Sequence, residues 1–547
     1  MQFLKSFLFT GIVILLAVSS LQANKDPKFL RTRGQDIVDG NGNTVLLRGV
    51  GLGNWLLPEG YMWKFGPLGD RPRRIEKIVS DLIGHDKASE FWRQFRKHYI
   101  TENDIKRIAE LGFNSVRPAL NARLFLTEGD SAHFIEESFL LLDSLVNWCN
   151  KYGLYVIIDM HGAPGGQTGQ NIDDSPNDEP ELFMDAKNQD RLVKLWVKIA
   201  ERYRDEPTVA AYDLLNEPLP QRTGAADKYK HLVEPLYKKL TKSIREVDKN
   251  HMITLEGVDW SNDWSIFGAP FDDNLFYQFH YYCWNRPDNL NDISKYLLWR
   301  DKLNAPVWVG ETGEKGNTIY WATTQYFEAN NIGWSFWPWK KMDTKNTPYS
   351  IKRPSNWEQI VAYSHGKEKP AAEIAQKAFA ELIENIKLAN CVYFPDVVNS
   401  ILRQAPVKIE AENYGHQGYN VSYYAADSTQ RAETYRVKEP VLIELMNFRD
   451  NDYLSEQYIV LHEKEWVRYT FSNNVLSEAD IIIKVQKTTE AAGFDFFLNG
   501  KTKTVKIAAD NWQEIAIPES NLKPGLNEIK LQVTSGSADF DWINILK

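Results

Sequence analysis

Between residues 44 and 340, short apolar runs alternate with segments of helical periodicity. The runs are TVLLRGVGLG (44–53), NSVRPAL (114–120), YVIIDMHG (155–162), AAYDLLNEP (210–218), MITLEGVDW (252–260), NLFYQFHYY (274–282), PVWVGETGE (306–314) and GWSFWPWK (333–340). Their apolar residues fall on successive positions, the pattern of parallel strands buried on both faces. Between them, TENDIKRIAELG and ESFLLLDSLVNWCNKYG carry apolar residues at helical spacing, and each ends at a glycine suited to a left-handed C-cap. QDRLVKLWVKIAERYRD and YKHLVEPLYKKLTKSIREVD continue the alternation. Eight strand–helix units predict an α/β fold, a (β/α)₈ TIM barrel. A doubly wound open sheet would carry G-x-G-x-x-G after its first strand, and GVGLGNW lacks that spacing.

The pattern changes after the helical segment AAEIAQKAFAELIENIK. Residues 391–405 read as an irregular linker, and from Val407 the text becomes short alternating runs: VKIEAEN, EWVRYTF, ADIIIKVQK, FDFFLNGK, EIAIP and NEIKLQVT. Turn signals such as NGK and KPG separate them, which predicts an all-β sandwich of jelly-roll type over 406–547. At the other end, one lysine precedes an apolar run from Phe7 to Val18 and small residues ending at Ala23. This reads as a secretory signal peptide over 1–23, too short for a comfortable membrane span, leaving a barrel domain over 24–390. The mature chain is expected to be secreted, extracellular or periplasmic, with no membrane partner.

Composition narrows the partner. The 64 basic and 73 acidic residues give a net charge of −9 with no long run of either sign, which argues against a nucleic-acid surface. The chain carries 18 Trp, 25 Tyr and 26 Phe, and flat aromatic rings are platforms for the C–H faces of sugars, so carbohydrate enters as a candidate partner. Cys149, Cys283 and Cys391 are odd in number and widely spaced, which favours buried thiols over a disulfide framework.

A barrel places catalytic groups at the C-terminal ends of different strands. Arg117 ends the second run, His161 the third, Asn216 and Glu217 the fourth, His280 and Tyr282 the sixth and Glu311 the seventh, while Trp337 lies in the eighth. Each alone has an ordinary structural explanation; polar groups closing six of eight strands do not arise easily by chance. Two carboxylates facing across a barrel mouth suit glycosidic cleavage, one protonating the leaving oxygen and the other ionised to attack or to activate water. Arg117 is expected to favour ionisation of Glu311.

GFNSVRPAL, IIDMHGAPGG, LLNEP, FHYY, GETGE and GWSFWPWK, in that order, resemble glycoside hydrolase family 5, the retaining (β/α)₈ enzymes that include cellulases, mannanases and exo-β-1,3-glucanases. The resemblance covers roughly residues 30 to 390. It implies Glu217 as acid/base and Glu311 as nucleophile, Asn216 on the sugar 2-hydroxyl, and Arg117 and Tyr282 orienting Glu311. It further implies His161 and His280 lining the subsite of the cleaved residue, with Trp337 stacked beneath it. Arg117 is followed by Pro118-Ala119 where the family usually has an aliphatic residue and then Pro. FWRQFRKHYITENDIKRIAELGFNSVRPAL and DMHGAPGGQTGQ look most like the exo-β-1,3-glucanase branch, and the Tyr61–His98 insertion would wall off one end of the cleft. A β-1,3- or β-1,4-linked glucan is the expected substrate; β-mannan, β-1,6-glucan, transglycosylation and non-catalytic glycan binding are the alternatives. No cofactor motif for catalysis is present, and a monomer is expected.

VKIEAENYGHQGYNV, EKEWVRYTF, DNWQEIAIP and the closing DFDWINILK resemble a family 6 carbohydrate-binding module over 406–547. That resemblance implies a structural calcium held by Glu410, Glu412 and Asp541, and a sugar-stacking Trp512. Asp539 stands where such modules often have Asn.

Overall fold

The computed structural model describes residues 29–129, 131–284, 290–433, 435–446 and 457–546; the signal-peptide stretch lies outside them. Eight parallel strands close into a barrel: β1 (Arg48–Leu56), β2 (Ser115–Asn121), β3 (Tyr155–Gly162), β4 (Val209–Asp213), β5 (Met252–Glu256), β6 (Leu275–Tyr281), β7 (Val307–Gly313) and β8 (Gly333–Trp337), with β8 pairing back onto β1. The helical segments form where their periodicity places them. The helix Glu102–Leu111 starts at a reciprocal capping box between Thr101 and Asp104 and stops at Gly112 (φ 105°), and the helix Glu136–Tyr152 stops at Gly153 (φ 71°). Leu30 and Ile37, from the N-terminal hairpin region, pack with Leu47, Ile157, Met252, Phe276 and Trp308 near the N-terminal ends of the strands. The opposite end is left for chemistry.

Several runs are longer in the sequence than the strands they become, two of them with consequences for the site. β1 begins at Arg48 instead of Thr44, and β4 stops at Asp213, so Asn216 and Glu217 lie in the loop beyond it. The β4 ladder ends because the chain turns: Glu217 (φ 42°) and Leu219 (φ 51°) adopt left-handed backbone around Pro218, which has no N–H to donate. The Tyr61–His98 insertion forms helices Pro72–Ile83 and His85–Tyr99, packed through Trp63, Phe91 and Phe95 onto Trp357 and Phe379. Eleven of the 18 tryptophans are buried, so more than half of the tryptophan content is core.

The C-terminal region is two antiparallel sheets facing one hydrophobic cluster. Val407–Glu410, Gln457–His462, Ser477–Lys487, Gln513–Leu522 and Ser537–Leu546 belong to one sheet. Trp466–Asn473, Ala492–Leu498, Lys501–Ile507 and Gly525–Ser535 belong to the other. The connection read as irregular contains a helix, Pro395–Leu402, started by Pro395 at its first turn and burying Val397, Val398 and Ile401. Among the described residues no helix is long and apolar enough to cross a membrane.

Candidate active site

Arg117, fully buried, is the hub on which the strand ends converge. Its Nη1 donates to Glu311 Oε1 (2.6 Å), Nε to Asp213 Oδ2 (2.9 Å), and Nη2 to Asn216 Oδ1 (2.8 Å) and Glu256 Oε1 (3.1 Å), with Asp159 Oδ1 at 3.2 Å. Burial disfavours its charge, but Asp159, Asp213, Glu311 and Glu256 outweigh burial and hold the guanidinium firmly protonated. The Arg fork suits this position because one rigid plane serves acceptors from several strands at once.

The two sequence-predicted carboxylates meet. One ligand atom each of Glu217, His280 and Glu311 lies within 4.8 Å of the other two. His280 Nδ1 is 2.6 Å from Glu217 Oε1 and 3.6 Å from Glu311 Oε2, while its Nε2 is 3.3 Å from Glu256 Oε1. Burial opposes charge on His280, but Glu256, Glu311 and Glu217 raise it well above the ordinary histidine value. A protonated imidazole has no lone pair for a metal, so this triple is arranged for proton chemistry. Tyr282 donates its hydroxyl to Glu311 Oε2 (3.0 Å), which leaves Glu311 held at both oxygens, by Arg117 and Tyr282. Burial raises the Glu311 carboxyl above its usual value, and His280 and Arg117 pull against that rise.

His161 and Trp337 form the floor, their rings stacked at 5.2 Å and 7°. Burial lowers His161 to about 4, so the ring is neutral. Its Nδ1–H then donates to Asp159 Oδ2 (2.7 Å), and Nε2 accepts from Asn216 Nδ2 at 3.4 Å. The glycines of GVGLG acquire a reason here: a Cβ at Gly51 or Gly53 would overlap the Trp337 ring.

Four polar groups of this site were not singled out from the sequence. Glu256 closes β5, one of two strands for which no candidate was named; its Oε2 accepts the Glu217 backbone N–H (2.8 Å) and so ties down the left-handed turn that presents Glu217. Asp159 and Asp213 sit two residues before His161 and three before Asn216, where they read as ordinary strand positions. Gln167 donates from one amide nitrogen to the carbonyls of His161 (2.7 Å) and Asn216 (2.9 Å), joining two loops. The periodicity of side chains along β3 and β5 was the available signal for Asp159 and Glu256.

A cavity of about 710 Å³ opens above the carboxylates. Glu59, Tyr61 and Trp337 line it together, Trp337 Nε1 donating to Tyr61 Oη (3.0 Å). Glu59 is buried with Oε1 unpaired, and burial together with Glu311, Glu314 and Glu217 pushes its carboxyl well up. Arg222, Trp260 and Trp284, from the loops after β4, β5 and β6, line it as well. Asp259, Trp260 and Ser261 all have φ between 55° and 67°, an uncommon run of left-handed residues that presents Trp260 under the Arg222 guanidinium (5.0 Å).

The remaining candidates lie far along the chain in the sandwich. Trp512 is half-buried, edge-on to Tyr458 (5.5 Å) with the Lys484 ammonium 5.5 Å from its ring. Glu410 and Asp541 lie on paired strands, ion-paired with Lys408 (2.9 Å) and Lys484 (2.6 Å). Glu412 is buried, its Oε2 without a hydrogen-bond partner, and burial and Glu410 push its carboxyl well up. Glu410 and Asp541 both raise Glu412, and carboxylates suit a hard cation chemically, although two of the three already hold lysines.

Residues 82–343 match the model of the cellulase family, glycosyl hydrolase family 5. A beta-xylosidase of Phanerodontia chrysosporium is 26% identical over 362 residues, covering 59% of this chain and 74% of the relative. Endoglucanase C of Acetivibrio thermocellus is 31% identical over 186 residues, 34% of this chain and 50% of that one. A probable glucan 1,3-beta-glucosidase A of Aspergillus clavatus is 29% identical over 208 residues, 38% of this chain and 49% of that one. The chain spans about half the length of the latter two. The match over residues 82–343, just under half of the chain, makes this region similar to the glycoside hydrolases of family 5.

Proposed function

We propose that the protein cleaves a β-linked glucan, β-1,3 or β-1,4, with retention of configuration, Glu217 serving as acid/base and Glu311 as nucleophile. The observation that carries this reading is the approach of Glu217 and Glu311 to within 4.8 Å. Retaining chemistry asks for carboxyl groups about 5–5.5 Å apart, close enough for a covalent glycosyl ester and too close for an intervening water. Glu217 protonates the glycosidic oxygen as the Glu311 carboxylate attacks the anomeric carbon, giving the ester and releasing the leaving sugar. Glu217, now ionised, takes a proton from water, which displaces Glu311. Arg117 and Tyr282 fix both Glu311 oxygens during attack, Asn216 and His161 face the sugar hydroxyls, and Trp337 lies beneath the ring. His280 and Glu256 hold Glu217 at its turn.

Attack at chain ends would leave the leaving group extending toward Trp260 and Trp284, which the loops after β5 and β6 place on the cavity. The names of the relatives support a β-glycan substrate. The apolar Phe7–Val18 stretch supports action outside the cell. Glu410, Glu412 and Asp541 would hold a structural calcium, and Trp512 would offer a sugar platform on the sandwich.

The test is the NMR anomeric signal of the first product from a panel of β-glucans, β-mannan and β-1,6-glucan, with product length followed over time. The β-anomer of a monosaccharide from the outset is the expected result. Initial release of the α-anomer would overturn double displacement. A ladder of oligomers would overturn attack at chain ends.

A further inference from the structure

The sandwich is joined to the barrel at the loop that lines the leaving-group end of the cavity. Leu290 packs against both the barrel core and the sandwich core. The His416 ring of the sandwich lies 5.0 Å from the Tyr326 ring of the barrel, and the Ile293 backbone lies against the Tyr326 hydroxyl. Lys438 pairs with Asp292 at 3.2 Å. Cys283, 1% exposed, begins the same loop and lies within electrostatic reach of Tyr435 of the sandwich. Behind the loop, Trp321 on the helix Asn317–Ala329, which follows the Glu311 strand, is buried in the sandwich core, and Arg403 reaches back to Glu328 (2.7 Å).

These contacts bear on groups facing the cavity. Asn291 is tied at both ends, its carbonyl accepting from Tyr281 (2.7 Å) and its amide donating to the Tyr282 carbonyl (3.0 Å). Trp284 stacks on Tyr282 at 5.2 Å and 22°, and Trp284, Asn291 and Asp292 all line the cavity. A module that only tethered the enzyme to insoluble polysaccharide would need none of these contacts. A half-exposed ring such as Trp284 can grip a sugar only if its backbone is held, because ordering a loose loop would consume the binding free energy.

We infer that the C-terminal sandwich is a fixed buttress of the catalytic cleft, clamping the 290–293 end of the loop after β6 and thereby setting affinity for the leaving-group sugars. The cleft half of this inference rests on the glycosidase reading; the clamp half does not. The experiment uses the full-length protein with His416→Ala, from the sandwich side, and Leu290→Asn, from the barrel side. Neither side chain faces the cavity. Alkylation of the native protein by iodoacetamide, read per cysteine by mass spectrometry, reports opening of the loop through Cys283, while Cys149 on the helix Glu136–Tyr152 reports global unfolding.

Each variant is expected to speed Cys283 alkylation by about tenfold or more, the signature of a lowered local opening free energy, with Cys149 protected. KM for a β-glucan oligosaccharide should rise about 3–10-fold while an aryl β-glucoside, which makes no leaving-group sugar contacts, is unaffected. Thr504→Ala, which loses only a hydrogen bond to Asp495 within the sandwich, should change neither readout. An unchanged Cys283 rate in both variants overturns the clamp, whatever the activity. A faster Cys283 rate with unchanged oligosaccharide KM overturns its role in the cleft. Inactivity of the unmodified protein on every glycoside would refute the proposed function, and the alkylation rates would still decide the clamp.

Discussion

Replacing Tyr282 by Phe removes one hydroxyl and little else. The ring keeps its stack on Trp284, and Glu311 Oε1 keeps its 2.6 Å contact with Arg117. What disappears is the 3.0 Å donation to Glu311 Oε2. Burial and the Glu311 charge raise the phenol well above its ordinary value, so the hydroxyl remains a donor throughout the working range. A hydrogen bond to a charged group is worth about 1.5–3 kcal/mol. At 1.36 kcal/mol per pKa unit, its loss should raise the Glu311 carboxyl by about 1–2 units. The sign follows from the chemistry: the hydroxyl donates to the ionised carboxylate, so without it the protonated form gains. Since Glu311 must be ionised to attack, the acid limb of kcat/KM moves to higher pH by the same amount. The assay is kcat/KM for an aryl β-glucoside across the acidic range, in both proteins. A limb that stays in place or moves to lower pH would refute the reasoning, and a loss of rate equal at every pH would show that Tyr282 acts on the sugar and not on Glu311.

Other substitutions follow from the same geometry. Glu217→Gln and Glu311→Gln should fold with native circular dichroism; the first should lose about 10²–10⁴-fold in turnover, least with leaving groups that need no proton, and the second nearly all activity. Glu256→Gln removes the largest of the charges that raise His280, so the imidazole should titrate at lower pH, followed by ¹⁵N NMR of the ring. Glu328, which binds Arg48 and Arg403 at the junction with the sandwich, is lowered to about 2 because these guanidiniums outweigh burial. A depressed carboxylate stabilises above its unfolded value and loses that contribution as pH falls through the folded one, so Glu328→Gln should cost about 2–3 kcal/mol near neutrality. In urea titrations that deficit should narrow as the pH falls from about 4 toward 2; a deficit constant with pH would refute it.

Much of the site was legible because barrel topology converts strand ends into neighbours. Once eight apolar runs are read as parallel strands, Arg117, His161, His280 and Glu311 must share one rim, and the structure brings them there together with Asn216, Glu217, Tyr282 and Trp337. Helix boundaries were legible for a local reason: Thr101 with Asp104, Gly112 and Gly153 act within a few residues of chain. The extent of β4 was not, since Leu214 and Leu215 are as buried as the strand before them and only the turn at Glu217 ends the ladder.

The amino-acid sequence alone determines the alternation of strand and helix, the second all-β region, and which two glutamates face the barrel mouth, because each depends on periodicity or on order along the chain. Only the tertiary structure decides that Glu256, Asp159 and Asp213 surround Arg117, that glycines of β1 make room for Trp337, and that the sandwich grips the loop after β6. Those outcomes depend on distances between residues far apart in the chain. A buried carboxylate is tolerated only where a guanidinium from another strand stands beside it, and nothing local to either residue specifies that meeting.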